Sequence, residues 1–464
     1  MTIEEILNSG NNAANIIAAL KEKAIVVPIW SGRNGLSQEF DPKKHPVMSK
    51  AKYPDIVTED GIQPVTRVTC DLQRLATKRM TELVCGIPIK RVYKPQNDKQ
   101  KEIAAFIEAI YERNRIDSVN TDRLNMLFAG CEVLTLWYAV EQENTLYDGK
   151  KSLLKLRCRN FTPMLGDDLY PLFDEYGDMI AMSIGYSRKS GKKLIQYFDT
   201  YTSNKHIKWS NANGDWEEVE NEDITVIGKI PAVYAYRPTP IWEDNSNIVY
   251  EIEWALSRDG NYLRENSKPL FVVFADEAIS YGDEKSPNKE FRAVMQYPKG
   301  STAQYITWQQ AVENLKYYVG ELRTLFFTLL QLPDWSYEKM SQQALSGESR
   351  KQLFIDAQMK VKDESGRLLE MFDRETNVIK AFAKVMLGEA YHADIDALPV
   401  KTVITPFTIT DEKDTITNLV TANGGKPIMS QRESIEEYGH SSDVDQTMKE
   451  IAEESMQDSF NLTE

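Results

Sequence analysis

The residues of this 464-residue chain that could do chemistry are few and poorly placed for it. Asp167 and Asp168 form a candidate Mg²⁺-holding pair of a nuclease, but they follow Gly166 and read as a solvated turn. Glu251 and Glu253 sit two residues apart in a helical stretch, so their side chains point in different directions. The four histidines, His45, His206, His392 and His440, have no Cys or Glu at metal-ligand spacing, which argues against a metal site and a Ser-His-Asp arrangement. Gly424-Gly425-Lys426-Pro427 lacks the spacing and the Ser/Thr of a phosphate-binding loop, and no G-x-G-x-x-G occurs. Cys70, Cys85, Cys131 and Cys158 are far apart with no C-x-x-C, so they read as reduced core residues of a cytosolic protein. The expectation is a chain that is not an enzyme and carries no catalytic residue, metal or cofactor.

A chain of this length, 42% hydrophobic and with 22 Tyr and 8 Trp, can bury a core of several domains. Its net charge of −15 excludes a conventional nucleic-acid wrapper, which would be basic. An acidic lining can still let DNA pass, because repulsion prevents sticking. The N-terminus has Glu4 and Glu5 and no basic segment, so no leader is expected, and no run of 18 apolar residues predicts a membrane span.

The chain is organised around residues 308–387. Ala311, Leu315, Val319, Leu322, Phe326 and Leu329 fall at three- and four-residue steps, one apolar helix face, and Pro333 ends it. A polar loop containing Trp335 and Tyr337 follows, and then a helix with Ser346 or Ser349 as N-cap. Only Gly366 interrupts that helix, so it could run to about 60 Å at roughly 1.5 Å per residue.

Upstream, residues 1–23 predict one or two short amphipathic helices, and 30–65 an irregular surface arm. Helices are predicted over 66–85, 97–114 and 118–131 (capped near Ser118 or Asn120). The period then changes: strands are predicted over 132–141, 153–159, 179–187, 193–199, 206–210 and 223–227, with a turn at Asn211-Ala212-Asn213-Gly214. A Pro-rich approach leads to a helix capped by Asp244 or Asn245 and ending near Ser267. Strands follow at 270–275, 291–296 and 304–308, with a charged loop over 276–290. Residues 401–410 predict an edge strand, 411–423 a helix, and Ser430-Gln431-Arg432-Glu433 a capping box, before an acidic, helix-prone tail.

Three passages have a familiar order. Lys229-Ile230-Pro231 leads to a helix of the form I-E-x-A-x-S-x-x-x-N-Y (Ile252 to Tyr262). A small strand-rich insertion and a second helix then precede Ser346-Gly347-Glu348-Ser349-Arg350-Lys351 and the long helix. Last comes Pro427-Ile428-Met429-Ser430-Gln431-Arg432-Glu433-Ser434-Ile435. This order over 231–440 resembles the portal proteins of tailed bacteriophages.

The resemblance implies an α+β, portal-type fold: mostly helical, with a β-rich wing block, two stem helices, a small clip and one very long wing helix. The wing would be 1–244, the stem helices 245–267 and 308–331, the clip 268–307, the tunnel loop 332–346, the long wing helix 347–400 and the crown 401–464. It implies a homo-oligomeric ring of twelve at one capsid vertex of a virion assembled in the host cytoplasm. Its partners would be the major capsid protein, the terminase large subunit, a head-to-tail adaptor and double-stranded DNA in the channel, with no membrane. The loop residues Trp335, Ser336, Tyr337, Lys339, Ser341, Gln342 and Gln343 would face DNA. The clip residues Asp276, Glu277, Tyr281, Asp283, Glu284 and Lys285 would face the motor and adaptor. The alternatives are another ring or connector protein of the virion neck or tail, and a Mg²⁺ nuclease using Asp167 and Asp168.

Overall fold

The computed structural model describes residues 2–9, 12–24, 30, 35–58, 61–266, 270–274, 302–306, 312–334, 355–407, 421, 429–438 and 444–461. In chain order, α1 (Ile3–Leu7), α2 (Ala13–Lys23) and α3 (Leu36–Phe40) precede a hairpin of β1 (Ile56–Thr58) and β2 (Gly61–Gln63). Next come α4 (Leu72–Cys85), β3 (Lys90–Tyr93), α5 (Asp98–Arg113) and α6 (Ile116–Gly130). The β-rich block holds β4 (Glu132–Tyr147), β5 (Lys150–Phe161), β6 (Asp168–Phe173), β7 (Met179–Ser190), β8 (Lys193–Tyr201), β9 (Lys205–Ser210), β10 (Glu217–Asp223) and β11 (Ala232–Tyr236). After it come α7 (Ser246–Asn266), β12 (Leu270–Phe274), β13 (Thr302–Ile306), α8 (Val312–Leu329), α9 (Ile355–Leu387), α10 (His392–Ala397), β14 (Val400–Val403), α11 (Gln431–Tyr438) and α12 (Val444–Asn461). The chain divides into two compact units, Met1–Trp335 with Asp356–Phe407, and Ser336–Ile355 with Thr408–Glu464.

In the first unit, an antiparallel five-stranded sheet has the order β10-β9-β8-β7-β6, and a three-stranded sheet the order β11-β4-β5. Leu134, Leu136 and Phe161 of the smaller sheet share a core with Met182, Ile184 and Tyr186 of the larger one. The larger sheet's other face packs Ala181, Phe198, Ile207 and Trp209 under Ile6, Ile17 and Leu20 of α1 and α2. Alternation along β7 and β8 thus serves two cores at once.

The long helix α9 buries Ala357, Val361, Leu368, Met371, Phe372, Ile379 and Phe382, which recur at helical spacing along one face. Gly366 does not interrupt it. It ends at Gly388, whose φ of +84° favours glycine, so the helix stops short of residue 400. The sheet strand β14 pairs with β3, and Lys380 Nζ donates to the Leu398 carbonyl.

Several expectations need correcting. The helix expected from residue 66 starts at Leu72, because the N–H groups of Thr66, Val68 and Cys70 donate to Asn261, Ser257 and Glu253. An extended segment is thereby tied along α7, whose side chains at steps of four meet every second backbone N–H. Residues 224–227 form a turn, and the strand there is the charged edge strand β10. Helix α6 is entered through Arg115 in the left-handed region, not through a Ser118 or Asn120 cap. The expected strand 291–296 and most of the expected helix 411–423 lie outside the described residues. In the second unit the capping box is present: Glu433 N–H donates to Ser430 Oγ, and Ser430 N–H to Glu433 Oε2.

Candidate functional site

Two helices and a strand pair frame the segments that the sequence singles out. Strands β12 and β13 pair antiparallel from Leu270↔Ile306 to Phe274↔Thr302, which brings the two ends of segment 275–301 together. Helices α7 and α8 pack side by side, and Tyr318 Oη donates to Glu251 Oε1 at 3.1 Å. Val249 and Ile252 of α7 and Phe326 and Phe327 of α8 are buried, while Trp254, Leu263, Tyr317, Leu325 and Leu329 stay exposed.

The exit of α8 has its own lock. Gln331 takes φ +54°, its N–H donates to the Thr328 carbonyl and that of Leu332 to Phe327. This is a Schellman ending with glutamine in the left-handed position, so the helix stops before Pro333. Arg79 of α4 then grips the outgoing chain. Its Nη1 donates to the Pro333 carbonyl at 2.8 Å and its Nη2 to Asp334 Oδ1 at 3.0 Å, with the guanidinium 4.3 Å from the Phe327 ring centre. Arg323 of α8 holds the same carboxylate, Nη2 to Oδ1 at 3.2 Å. Burial pushes the Asp334 carboxyl up, but the hydrogen bond from Arg79 and the two guanidinium charges bring it below its ordinary value.

The loop residues Trp335, Ser336, Tyr337, Lys339, Ser341, Gln342 and Gln343, and the clip residues Asp276, Glu277, Tyr281, Asp283, Glu284 and Lys285, lie outside the described residues. Described are the roots from which both segments leave. Arg79 was not singled out by sequence, since a lone arginine on an amphipathic helix carries no signal of a partner 255 positions away. Arg79→Ala is expected to cost about 1.5–3 kcal/mol, the range for hydrogen bonds to charged groups, read as a lowered urea midpoint. Lysine should not rescue it, lacking the two-pronged fork. A midpoint unchanged in Arg79→Ala would show that the grip contributes nothing.

The acidic pairs and the cysteines that the sequence offers do not assemble into a site. Asp167 is buried and its Oδ2 accepts the Thr162 N–H at 3.2 Å, while Asp168 is exposed at the start of β6. Burial pushes the Asp167 carboxyl up, which disfavours the charge a cation would need. Glu251 and Glu253 diverge as expected, Glu253 inward to His45 Nδ1 at 2.6 Å. All four cysteines are free thiols, and burial pushes Cys85 and Cys131 up to about 12 and Cys158 up to about 11. Among the described residues no helix is long and apolar enough to cross a membrane.

Residues 43–459 match the family model of the phage portal protein, SPP1 Gp6-like. The chain belongs to this portal family. The portal fold expected from the sequence is therefore the right class, mixed helix and sheet. No curated protein is recognisably similar in sequence. Among solved structures, the neck of the native gene transfer agent particle computed with C12 symmetry is similar at 11% identity, over 91% of this chain and 98% of that one, TM-score 0.40. The neck of the empty particle computed with C6 symmetry is similar at 11% identity, over 90% and 96%, TM-score 0.39. As a portal-family member the chain is a structural component of a phage-like particle.

Proposed function

We propose that the chain forms a closed ring of twelve at one capsid vertex, the channel through which the genome is packaged and ejected. The observation that carries this is the portal-family match over 43–459. In this reading α7 and α8 are the stem, and the segment framed by β12 and β13 is the clip, docking the terminase large subunit and later a head-to-tail adaptor. The loop leaving Asp334 faces double-stranded DNA, with Lys339 touching phosphates. The wing and crown meet the major capsid protein and DNA inside a virion assembled in the host cytoplasm.

Two features support it. Tyr317, Leu325 and Leu329 are 70%, 45% and 52% exposed on α8, and Trp254 and Leu263 are 44% and 52% exposed on α7. Apolar side chains on both stem helices suit heterologous contacts with two neighbours, which close into a ring. The net charge of −15 suits a channel wall that neutralises few phosphates and so lets DNA slide.

The deciding experiment is the native mass of the purified protein with electron-microscope class averages of the same sample. Twelve copies of 53.1 kDa should give about 640 kDa and an end-on ring with a hole wide enough for duplex DNA. A monomer or dimer with no hole, stable across salt and concentration, would sink the proposal. The paired substitution Tyr317→Glu with Leu325→Glu is expected to break the ring into small species with unchanged far-UV circular dichroism, since both side chains are exposed in the single subunit. Persistence of the full ring in that variant would remove the α8 stripe from the subunit interface.

A further inference from the structure

The outer end of the five-stranded sheet carries a side-chain cluster that a channel protein does not call for. Glu222 on β10 stands directly opposite His206 on β9, and Glu220, two residues back, shares the same face opposite Lys208. One ligand atom from each of His206, Glu220 and Glu222 lies within 4.8 Å of the other two. His206 Nδ1 is 3.4 Å from Glu222 Oε2, and Lys208 Nζ holds Glu220 Oε1 at 2.8 Å. The imidazole lies flat on the Tyr201 ring, centroids 4.2 Å apart and 3° from parallel, so its orientation is fixed.

Two buried atoms behind this cluster lack protein partners. His206 is 8% exposed and its Nε2 has no hydrogen bond. Asp199 of β8 is 6% exposed; its Oδ2 accepts from Tyr186 Oη at 3.0 Å, but its Oδ1 has no hydrogen bond. Asp199 is two residues before Tyr201, which faces His206 across the β8–β9 pair, so the two orphans share a face at diagonal positions without bonding to each other. Buried polar groups without partners are costly, so an arrangement that uses both needs a reason.

We propose that His206, Glu220 and Glu222 bind a divalent transition-metal ion of the Zn²⁺ class, with Asp199 as the positioning residue behind the histidine. One neutral imidazole and two carboxylates balance the charge of a divalent ion and match the nitrogen–oxygen donor set that such ions take. Zinc ligand bonds of about 2.0–2.2 Å require the three donors to draw together, which would take rotation of the partly exposed Glu220 away from Lys208 and of the exposed Glu222 toward His206. With Nδ1 on the metal, Nε2–H must donate elsewhere, and Asp199 Oδ1 is the free acceptor, the carboxylate–histidine–metal arrangement. The ion would clip the charged edge strand β10 to the sheet beyond the irregularity in its pairing between Glu218 and Glu220.

The test is calorimetric titration of the tag-free, full-length protein with Zn²⁺ and, separately, Mg²⁺, with far-UV circular dichroism checking each variant. One saturable Zn²⁺ site per chain is expected, with Mg²⁺ far weaker. His206→Ala and Glu222→Gln should abolish it, and Asp199→Asn should weaken it about 10–100-fold. His392→Ala should leave it intact. Because a variant may fold poorly, Co²⁺ added to the unaltered protein gives a second readout: visible bands of nitrogen–oxygen ligation without thiolate charge transfer. No saturable Zn²⁺ binding, binding that survives His206→Ala, or a thiolate spectrum would each overturn the proposal.

Discussion

Replacing Glu375 by glutamine is expected to cost the folded subunit about 3–5 kcal/mol, the range for breaking a buried ion pair from one side. Glu375 lies mid-way along α9 and is fully buried. Its Oε1 and Oε2 accept from Arg123 Nη1 and Nη2 at 2.6 and 2.9 Å, a two-pronged pair. Arg91 Nη2 reaches Oε2 at 3.3 Å, and Trp137 Nε1 donates to Oε1 at 3.2 Å. One carboxylate thus ties α6, β3 and β4 to the long helix. Glutamine would keep the shape but leave two buried guanidiniums without a counter-charge. Some relief exists already: the Arg91 guanidinium sits 3.5 Å from the Tyr111 ring centre, and Arg123 Nη2 donates to Asn120 Oδ1 at 2.6 Å. The denaturant midpoint, followed by tryptophan fluorescence at fixed protein concentration, reads the loss. The double variant Arg123→Met with Glu375→Leu should be less destabilised than either single variant, because it removes both charges of the pair together. A Glu375→Gln midpoint within about 1 kcal/mol of the unaltered protein, below the buried-pair range, would mean the network does not hold the helix down.

The pH dependence of that pair has a definite sign. Burial pushes the Glu375 carboxyl up, but the Arg123 charge and hydrogen bond, with Arg91 and Trp137 behind them, hold it below its ordinary value. A depressed carboxyl contributes stability that is present above the unfolded value of about 4.3 and is lost as pH falls through the folded one. Acid sensitivity should therefore shrink in Glu375→Gln.

Little of this network is legible in the sequence, and the reason is distance along the chain. Arg123 and Glu375 are 252 positions apart, and nothing local marks either as a partner. What local chemistry determines was readable: α5 begins after Asn97, whose Oδ1 accepts the Gln100 N–H, and Ser430 and Glu433 cap one another. The strands β4, β5, β7 and β8 showed through their apolar residues, though β4 and β5 run longer than the alternation suggested. Strand β10, EEVENED, was missed because an exposed edge strand has no apolar face to betray it. Strand β6 carries Pro171, which argues against a strand until its neighbour β7 is known. The histidine search along the sequence missed Glu222 and Glu220 because His206 meets them across a strand pair. The loop and clip residues rest on the resemblance, and the described residues supply only their roots.

The His45–Glu253 pair should make the join between the arm and α7 weaken as pH rises. His45 Nε2 lies 2.7 Å from the Glu39 carbonyl, which can only accept, so that nitrogen carries a proton. Its Nδ1 lies 2.6 Å from Glu253 Oε1, which also accepts the Cys70 N–H at 2.7 Å. Both side chains are fully buried. Burial pushes the imidazole down, but the hydrogen bond to Glu253, the Glu39 carbonyl and the charges of Glu253 and Asp71 together raise it above its ordinary value. Tyr250 packs edge-on at 5.3 Å and brings no opposing charge. A raised histidine contributes stability that is fully present below its unfolded value of about 6.5 and is lost as pH climbs through the folded one. Hydrogen-exchange protection in residues 35–71, the ratio of the intrinsic to the observed rate, should accordingly be high at mildly acid pH and fall on the alkaline side. His45→Ala would strand Glu253 and is expected to cost about 3–5 kcal/mol, with the alkaline loss of protection abolished. Glu253→Gln keeps an acceptor for Cys70 and should lose the pH dependence at smaller cost. Gly260 provides an independent check on the same join, since an added Cβ there would stand 2.8 Å from Thr66 Cγ2. Gly260→Ala should therefore loosen 64–71 at every pH, whereas His45→Ala removes the slope. Protection of the arm that is equal at both pH values in the unaltered protein would show that the pair is neutral when folded, and that the extended segment is held by its backbone bonds to α7 alone.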